Sequence, residues 1–161
     1  MERRPKDGNI VESSRAERAA EFFGQGYNCC QSVFLAFCDK YGIEQETALR
    51  LSCSFGGGMG RMRQVCGAVS GMALVCGLET GNTDCRNQQA KTENYETMRR
   101  LAEAFRRENG SIVCGELLGL TDAEKKAETS APSYRTAEYY KKRPCKELVR
   151  CAAEILEKEF Y

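Results

Sequence analysis

The stretch VCGAVSGMALVCGL, residues 65–78, carries no charged side chain and is apolar on nearly every side of a helix. A helix that is apolar all round is normally buried at the centre of a protein. Gly67 and Gly71 lie four residues apart and therefore share one face of this helix. Because glycine costs roughly 1 kcal/mol against alanine in a helix interior, two glycines on one face indicate close approach of another backbone or of a bound group.

The sequence on either side of this stretch also has helical periodicity. Capping residues and glycines bound the segments. We expect helices over about 14–24, 28–41, 44–54, 65–78 and 83–108, a short turn of helix over 113–118, a polar helix from 121 and a last helix from 144. The helix over 44–54 is predicted to bury Ala48, Leu51, Ser52 and Phe55. Only residues 112–114 resemble a strand, and they are too few to build a sheet.

These patterns predict an all-α fold. We expect one compact domain over residues 1–161, with six or seven helices around the central uncharged helix and with residues 1–9 loosely ordered. The 24 basic and 23 acidic residues nearly cancel, which removes any global electrostatic argument for binding nucleic acid or an anionic membrane. We find no secretory signal and no apolar run long enough to span a bilayer, and therefore expect a cytoplasmic protein.

The chain contains ten cysteines and no histidine. Cytoplasmic thiols stay mostly reduced, so the cysteines are expected to be buried small hydrophobes, metal ligands or catalytic thiols. The lack of histidine excludes a Cys/His zinc finger and a Cys-His nucleophile pair.

Four cysteines stand where helices are predicted to begin: Cys29, Cys66, Cys114 and Cys145. A thiol at a helix N-terminus faces unpaired N–H groups and the positive end of the macrodipole, which favours the thiolate. Two interpretations remain open from the residues alone. Either four helix starts converge on a shared site, or these are four unrelated core thiols. No Cys-x-x-Cys pair marks a zinc or iron–sulfur site.

The other six cysteines are predicted mainly to pack in the core: Cys30, Cys38, Cys53, Cys76, Cys85 and Cys151. Cys30 is the main exception, since it adjoins Cys29 and could act as a resolving thiol. Cys85 is expected to be more exposed. Tyr134, Tyr139 and Tyr140 could form a partner surface or simply cover the core.

A glycine-rich loop, FGGGMG at residues 55–60, precedes Cys66. It lacks the Gly-Lys-Ser/Thr ending of a nucleotide-binding loop. It could cradle an anion with backbone amides, or it could turn the chain sharply and present amides near Cys66. Arg61 and Arg63 could then lower the pKa of Cys66. The candidate cofactor-binding backbone positions are Gly57, Gly58, Gly60 and Gly67.

Several blocks in this order resemble a family described as redox-active and named for the pattern C_GCAxxG_C_C. The blocks are YNCCQSV at 27–33, FGGGMG at 55–60, CGAVSG at 66–71, SIVCGELLG at 111–119, and a late cysteine at 145. The resemblance covers nearly the whole chain, and the four cysteines shared by the family match the four at predicted helix starts. It implies a redox role, in bacterial loci that often include transport genes. The haem-binding parts of some related sequences do not carry over, because the chain lacks Cys-x-x-Cys-His.

We therefore expect a redox-active protein with Cys66, Cys29, Cys114 and Cys145 as its catalytic centre and Cys66 as the most activated thiol. Electrons would pass by thiol/disulfide exchange, or through a bound metal or iron–sulfur centre held by the same four cysteines. The possible cofactors are an iron–sulfur cluster or zinc. The alternatives are a structural zinc scaffold without turnover and a helical interaction domain with incidental cysteines. The expected partners are an unidentified redox protein and a membrane transport system, with a homodimer left open.

Overall fold

A computed structural model of the chain describes residues 13–161, and the expected loose order of residues 1–9 lies outside that range. The described residues form nine α-helices and one 3₁₀ turn, at Cys38–Tyr41. The helices are α1 (Arg15–Gly24), α2 (Cys29–Leu35), α3 (Gln45–Cys53), α4 (Gly67–Thr80), α5 (Gln88–Asn109), α6 (Cys114–Leu117), α7 (Asp122–Lys126), α8 (Ala137–Lys142) and α9 (Cys145–Phe160). The predicted all-helical fold is confirmed, with more helices than the six or seven expected.

Helix α4 is the uncharged stretch, and it lies at the centre of the fold. It packs against α2, α5 and α9, while α1 covers α2 and α9. Its buried side chains include Ala68, Met72 and Val75, each with no exposed surface. The prediction of a central buried helix is therefore confirmed. No helix of residues 13–161 is both long enough and apolar enough to cross a membrane.

The two glycines on one face of α4 allow α2 to approach. A Cβ atom added at Gly71 would lie 2.7 Å from Cβ of Val33, and one added at Gly67 would lie 3.0 Å from Cβ of Cys29. Any larger residue would push the two helices apart. The expected close backbone approach is confirmed, and it places the first residue of α2 beside the start of α4.

The predicted helix over 28–41 is wrong in its second half, because α2 ends at Leu35. Two side chains bind backbone carbonyl groups that would accept hydrogen bonds within the helix if it continued. The guanidinium of Arg15 donates to the Ala36 carbonyl at 2.8 Å, and the Cys38 thiol donates to the Leu35 carbonyl at 3.3 Å. With these acceptors occupied, the chain tightens into the 3₁₀ turn before Gly42, which takes a left-handed conformation.

Two further differences come from local polar groups. Helix α5 begins at Gln88 rather than near 83, because the side chains of Asn82 and Asp84 bind nearby backbone amides and hold a turn. Helix α8 was not expected; the Thr136 side chain caps it by accepting from the Tyr139 amide.

Helix α3 buries Ala48 and Ser52, as expected, but Leu51 is 54 % exposed. The prediction that Leu51 is buried is therefore wrong. The Ser52 hydroxyl donates to the Ala48 carbonyl at 2.6 Å. Helix α3 packs against α2. Its buried face holds these two small residues, which leaves Leu51 in solvent.

Candidate functional site

Each of the four selected cysteines stands at the start of a helix. Cys29, Cys114 and Cys145 are the first residues of α2, α6 and α9, and Cys66 immediately precedes α4. All four line one cavity of about 60 Å³. The structure thus brings together four thiols from distant parts of the chain, which is the arrangement that the shared-site interpretation requires.

A short backbone pairing joins Cys66 to Cys114. Val65 and Val113 form an isolated antiparallel bridge. The strand-like segment at 112–114 therefore contributes one bridge and no sheet. The amide of Cys66 donates to the Ile112 carbonyl at 2.8 Å, and the amide of Cys114 donates to the Gln64 carbonyl at 2.6 Å. These bonds hold the two cysteines on neighbouring segments at the same end of the molecule.

The glycine-rich loop closes over Cys114 through left-handed backbone conformations. Gly58 has φ of 72°, and a Cβ atom there would lie 2.7 Å from Cβ of Cys114. Arg63 also has a positive φ, of 59°, although it is not glycine. This conformation costs roughly 1–2 kcal/mol for a residue with a Cβ atom. The strained backbone places the Arg63 side chain in the interior, where it is only 5 % exposed.

The predicted backbone cradle is only partly found at the cavity. Gly57, Gly58 and Gly67 line it together with the four cysteines. Gly60 lies outside, and its amide donates to the Ser54 carbonyl at 2.8 Å. The amide of Gly60 is therefore not free to hold a bound group.

Three arginines surround the cysteines, and two of them were missed from the sequence. Arg63 comes from the glycine loop, Arg135 from the segment before α8, and Arg143 from the link between α8 and α9. The guanidinium of Arg135 donates to the Phe23 and Tyr27 carbonyls, both at 3.1 Å, which fixes the α8 segment to the end of α1. The one signal in the sequence that could have revealed these arginines is Arg143, a basic residue two positions before Cys145.

Cys29 and Cys145 form the most closely interacting pair of thiols. The Cys29 thiol and the positive charges of Arg143, Arg135 and Arg63 lower the pKa of Cys145 to about 7, against the opposing effect of burial. The interaction with Cys145, together with burial, raises the pKa of Cys29 well above its usual value. One member of the pair is thus a thiolate near neutral pH, and the other is a thiol.

The expectation that Cys66 is the most activated thiol is wrong. Burial raises its pKa to about 12, and the nearby amides of Ala68 and Val69 do not compensate. The two arginines expected to act on Cys66 make their contacts with other groups. Arg63 donates to Sγ of Cys114 at 3.6 Å, and both Arg61 and Arg63 pair with Glu128, with nitrogen–oxygen distances of 3.0 Å.

Cys30, Cys38 and Cys76 are buried, as predicted for packing residues, and Cys85 is exposed, as expected. Cys53 is also exposed, and Cys151 is partly buried. The resolving role considered for Cys30 finds no support. This cysteine does not line the cavity, and burial raises its pKa to about 12.

The tyrosines divide between the cavity and the surface. Tyr139 lines the cavity and receives the guanidinium of Arg135 at 4.9 Å from its ring centroid, while Tyr134 is 92 % exposed. For metal binding, no group of three or more Cys, Asp or Glu side chains within residues 13–161 has an arrangement able to hold an ion. The predicted zinc or iron–sulfur centre therefore gains no support from the spacing of its donors.

Comparison with known proteins identifies a family for the chain. No curated protein and no solved structure shows a significant match to it. A family model described as "Putative redox-active protein (C_GCAxxG_C_C)" matches residues 27–159, a range that begins before α2, ends within the last turn of α9 and contains all four cysteines of the cavity. The chain therefore belongs to the C_GCAxxG_C_C family of redox-active proteins.

Proposed function

We propose that the protein is a thiol/disulfide oxidoreductase in which Cys145 is the attacking thiolate and Cys29 the resolving thiol. The observation that carries this assignment is the meeting of Cys29 and Cys145 at a cavity with three guanidinium groups, where each cysteine is the largest influence on the pKa of the other. A thiolate is the form of cysteine that attacks a disulfide, and a neighbouring thiol is what releases the mixed disulfide that results.

The reaction proceeds in two exchanges. The Cys145 thiolate attacks one sulfur of a substrate disulfide, forming a mixed disulfide and expelling the other half of the substrate as a thiolate. Cys29 loses its proton to that leaving thiolate and attacks Sγ of Cys145, which forms the Cys29–Cys145 disulfide and releases the second half of the substrate. Two electrons pass from the protein to the substrate, and a thiol or dithiol reductant restores the pair by the reverse exchanges.

Arg63, Arg135 and Arg143 stabilise the Cys145 thiolate before the attack. Cys66 and Cys114 are buried neighbours, and the pKa of each is raised by burial. Both therefore stay protonated near neutral pH, which limits their competition for the substrate. A metal-bound or iron–sulfur form of the four cysteines is the second candidate, and its only support is their shared cavity.

Trapping of the mixed disulfide tests the assignment. After reaction of the reduced protein with hydroxyethyl disulfide, peptide mapping of the wild type should find Cys29 linked to Cys145. Cys29→Ser should stop at a mixed disulfide on Cys145, and Cys145→Ser should lose most of the reaction. Cys38→Ser is the matched control, because Cys38 is equally buried but does not line the cavity. Equal rates for Cys145→Ser and Cys38→Ser would refute the assignment.

A further inference from the structure

A groove of about 390 Å³ opens beside the cysteine cavity. Six residues line both spaces, so the groove and the cavity lie side by side: Asn28, Gly57, Arg63, Arg135, Tyr139 and Arg143. The volume of the groove is in the range that accepts small-molecule ligands, whereas the cavity alone has room for only a few atoms. A substrate that reaches the thiols through the groove must rest most of its atoms there.

The groove is strongly basic. Four arginines line it, at positions 61, 63, 135 and 143, and no carboxylate of residues 13–161 does so. Glu128 stands behind the groove and pairs with Arg61 and Arg63, which offsets one of the four charges. The net positive charge is therefore concentrated at this one concave surface, on a chain whose total charge is only +1.

Two of these guanidinium groups have unused donors. Nε of Arg63 is buried and has no hydrogen-bond partner in the part of the chain that the structure describes. A buried N–H group left without an acceptor costs roughly 1–3 kcal/mol, so the fold holds the Arg63 guanidinium at the groove against this cost. Arg143 forms no ion pair with a carboxylate of residues 13–161, and its guanidinium lies over the Tyr139 ring at 5.0 Å from the centroid.

The backbone of Arg63 supports the same conclusion. Its left-handed conformation is costly, yet the fold uses it to place a guanidinium where an N–H donor lacks a partner. Backbone strain of this kind is concentrated at functional sites. Arginine is also the side chain best suited to carboxylate recognition, because its planar donors match the two oxygens.

We propose that the substrate is a small disulfide bearing carboxylate groups, which the groove binds through Arg143 and the other guanidinium groups that line it, while its sulfur atoms face Cys145. The proposal rests on the exchange reaction assigned above. The carboxylates neutralise the excess positive charge of the groove and hold the disulfide at the mouth of the cavity. The bonds that form and break are those of the two exchanges already described, with the reduced carboxylate-bearing thiol as the product.

Three small disulfides of similar size and different charge test this specificity. Dithiodipropionate carries two carboxylates, hydroxyethyl disulfide is neutral, and cystamine carries two ammonium groups. A thiolate in free solution reacts more slowly with the anionic disulfide than with the cationic one, because like charges repel. With this protein at low salt, we expect the anionic disulfide to react about tenfold faster than the neutral one, and the preference to disappear near 1 M salt.

The ratio of the anionic to the neutral rate is the quantity to compare among variants, because a change in the reactivity of Cys145 affects both rates equally. Arg143→Gln should reduce this ratio several-fold. Arg107→Gln is the matched control, since Arg107 is 73 % exposed on α5, away from the groove, and should leave the ratio unchanged. Equal rates with all three disulfides would overturn the proposed specificity and leave the exchange reaction standing. No reaction with any of them would overturn both.

Discussion

The reactivity of Cys145 should titrate with a midpoint near pH 7. At pH 7 a thiol of pKa 9.0 is about 1 % ionised, whereas a pKa of about 7 leaves roughly half of Cys145 as thiolate, a gain of about fiftyfold. Intrinsic nucleophilicity falls with the pKa, with a Brønsted slope of about 0.4–0.5, which removes roughly eightfold over two units. The net expected advantage over an ordinary thiol of equal access is therefore about sixfold.

The assay is the rate of mixed-disulfide formation at Cys145 with neutral hydroxyethyl disulfide. Samples quenched in acid and mapped by peptide mass spectrometry give the rate at each pH, and the pH at half the maximal rate gives the midpoint. Because the midpoint does not depend on how accessible the sulfur is, it isolates the electrostatic effect. Cys29→Ser is unsuitable for this measurement, since it replaces the thiol that has the largest effect on the pKa of Cys145.

Arg143→Gln supplies the perturbation. Removing one of the three guanidinium groups should raise the midpoint by about half a unit or more, because a nearby opposite charge favours the ionised form. Arg107→Gln should leave it unchanged. A wild-type midpoint at or above pH 9, or the same midpoint in Arg143→Gln as in Arg107→Gln, would refute the account of how the thiolate is stabilised.

Three further outcomes follow from the packing and the charges. Gly71→Ala should destabilise the protein by about 1–3 kcal/mol in urea unfolding, because the added Cβ atom would contact Val33. Gly77→Ala should instead stabilise α4 by about 0.5–1 kcal/mol, because no described atom lies within 4 Å of the added Cβ atom. The folded-state pKa of Cys145 lies below its unfolded value, so its ionisation stabilises the fold above pH 9 and ceases to do so as the pH falls through about 7. Because burial raises the pKa of Cys29 and Cys66 and gives the opposite trend, the quantity to measure is the free energy of unfolding of the wild type minus that of Cys145→Ser, which should fall by about 2 kcal/mol from pH 9 to pH 7. Protein purified under nitrogen should contain no stoichiometric iron or zinc by elemental analysis, and its unfolding midpoint should survive dialysis against a chelator. One metal ion per chain, lost together with the fold on chelation, would instead favour the structural scaffold.

The central helix and the choice of four cysteines could be predicted from the sequence because both depend on local signals. An uncharged apolar stretch has few alternatives to burial. The pairing of Gly67 with Gly71 follows from helical spacing, and each cysteine is preceded by a turn, cap or proline that begins a helix.

The order of thiol reactivity could not be predicted in the same way. The sequence places Cys66 beside a helix start and two arginines, but its pKa depends on how deeply the folded chain buries it. Arg143, two residues away, has the largest charge effect on Cys145, but the further effects come from Arg135 and Arg63, which no local pattern places beside it. Only the docking of the α8 segment onto the end of α1 brings Arg135 within reach.

Helix α2 shows a second limit of local patterns. Its apolar periodicity continues through Tyr41, yet the helix ends at Leu35 because the Arg15 side chain from α1 takes the Ala36 carbonyl. A hydrogen bond between residues so far apart in the sequence cannot be recognised from the pattern of residues within one helix.

The contact between Cys29 and Cys145 links the redox state of the protein to its folding. A disulfide between them would close a loop of roughly 115 residues, and the chain-entropy model gives such a loop about 5 kcal/mol of stabilisation against unfolding. By thermodynamic reciprocity, folding must favour formation of that bond by the same amount. The folded chain would thus hold its two electrons less tightly than its unfolded form by about 100 mV. Oxidation would then protect the protein against unfolding, and a partly unfolded chain would be reduced more readily.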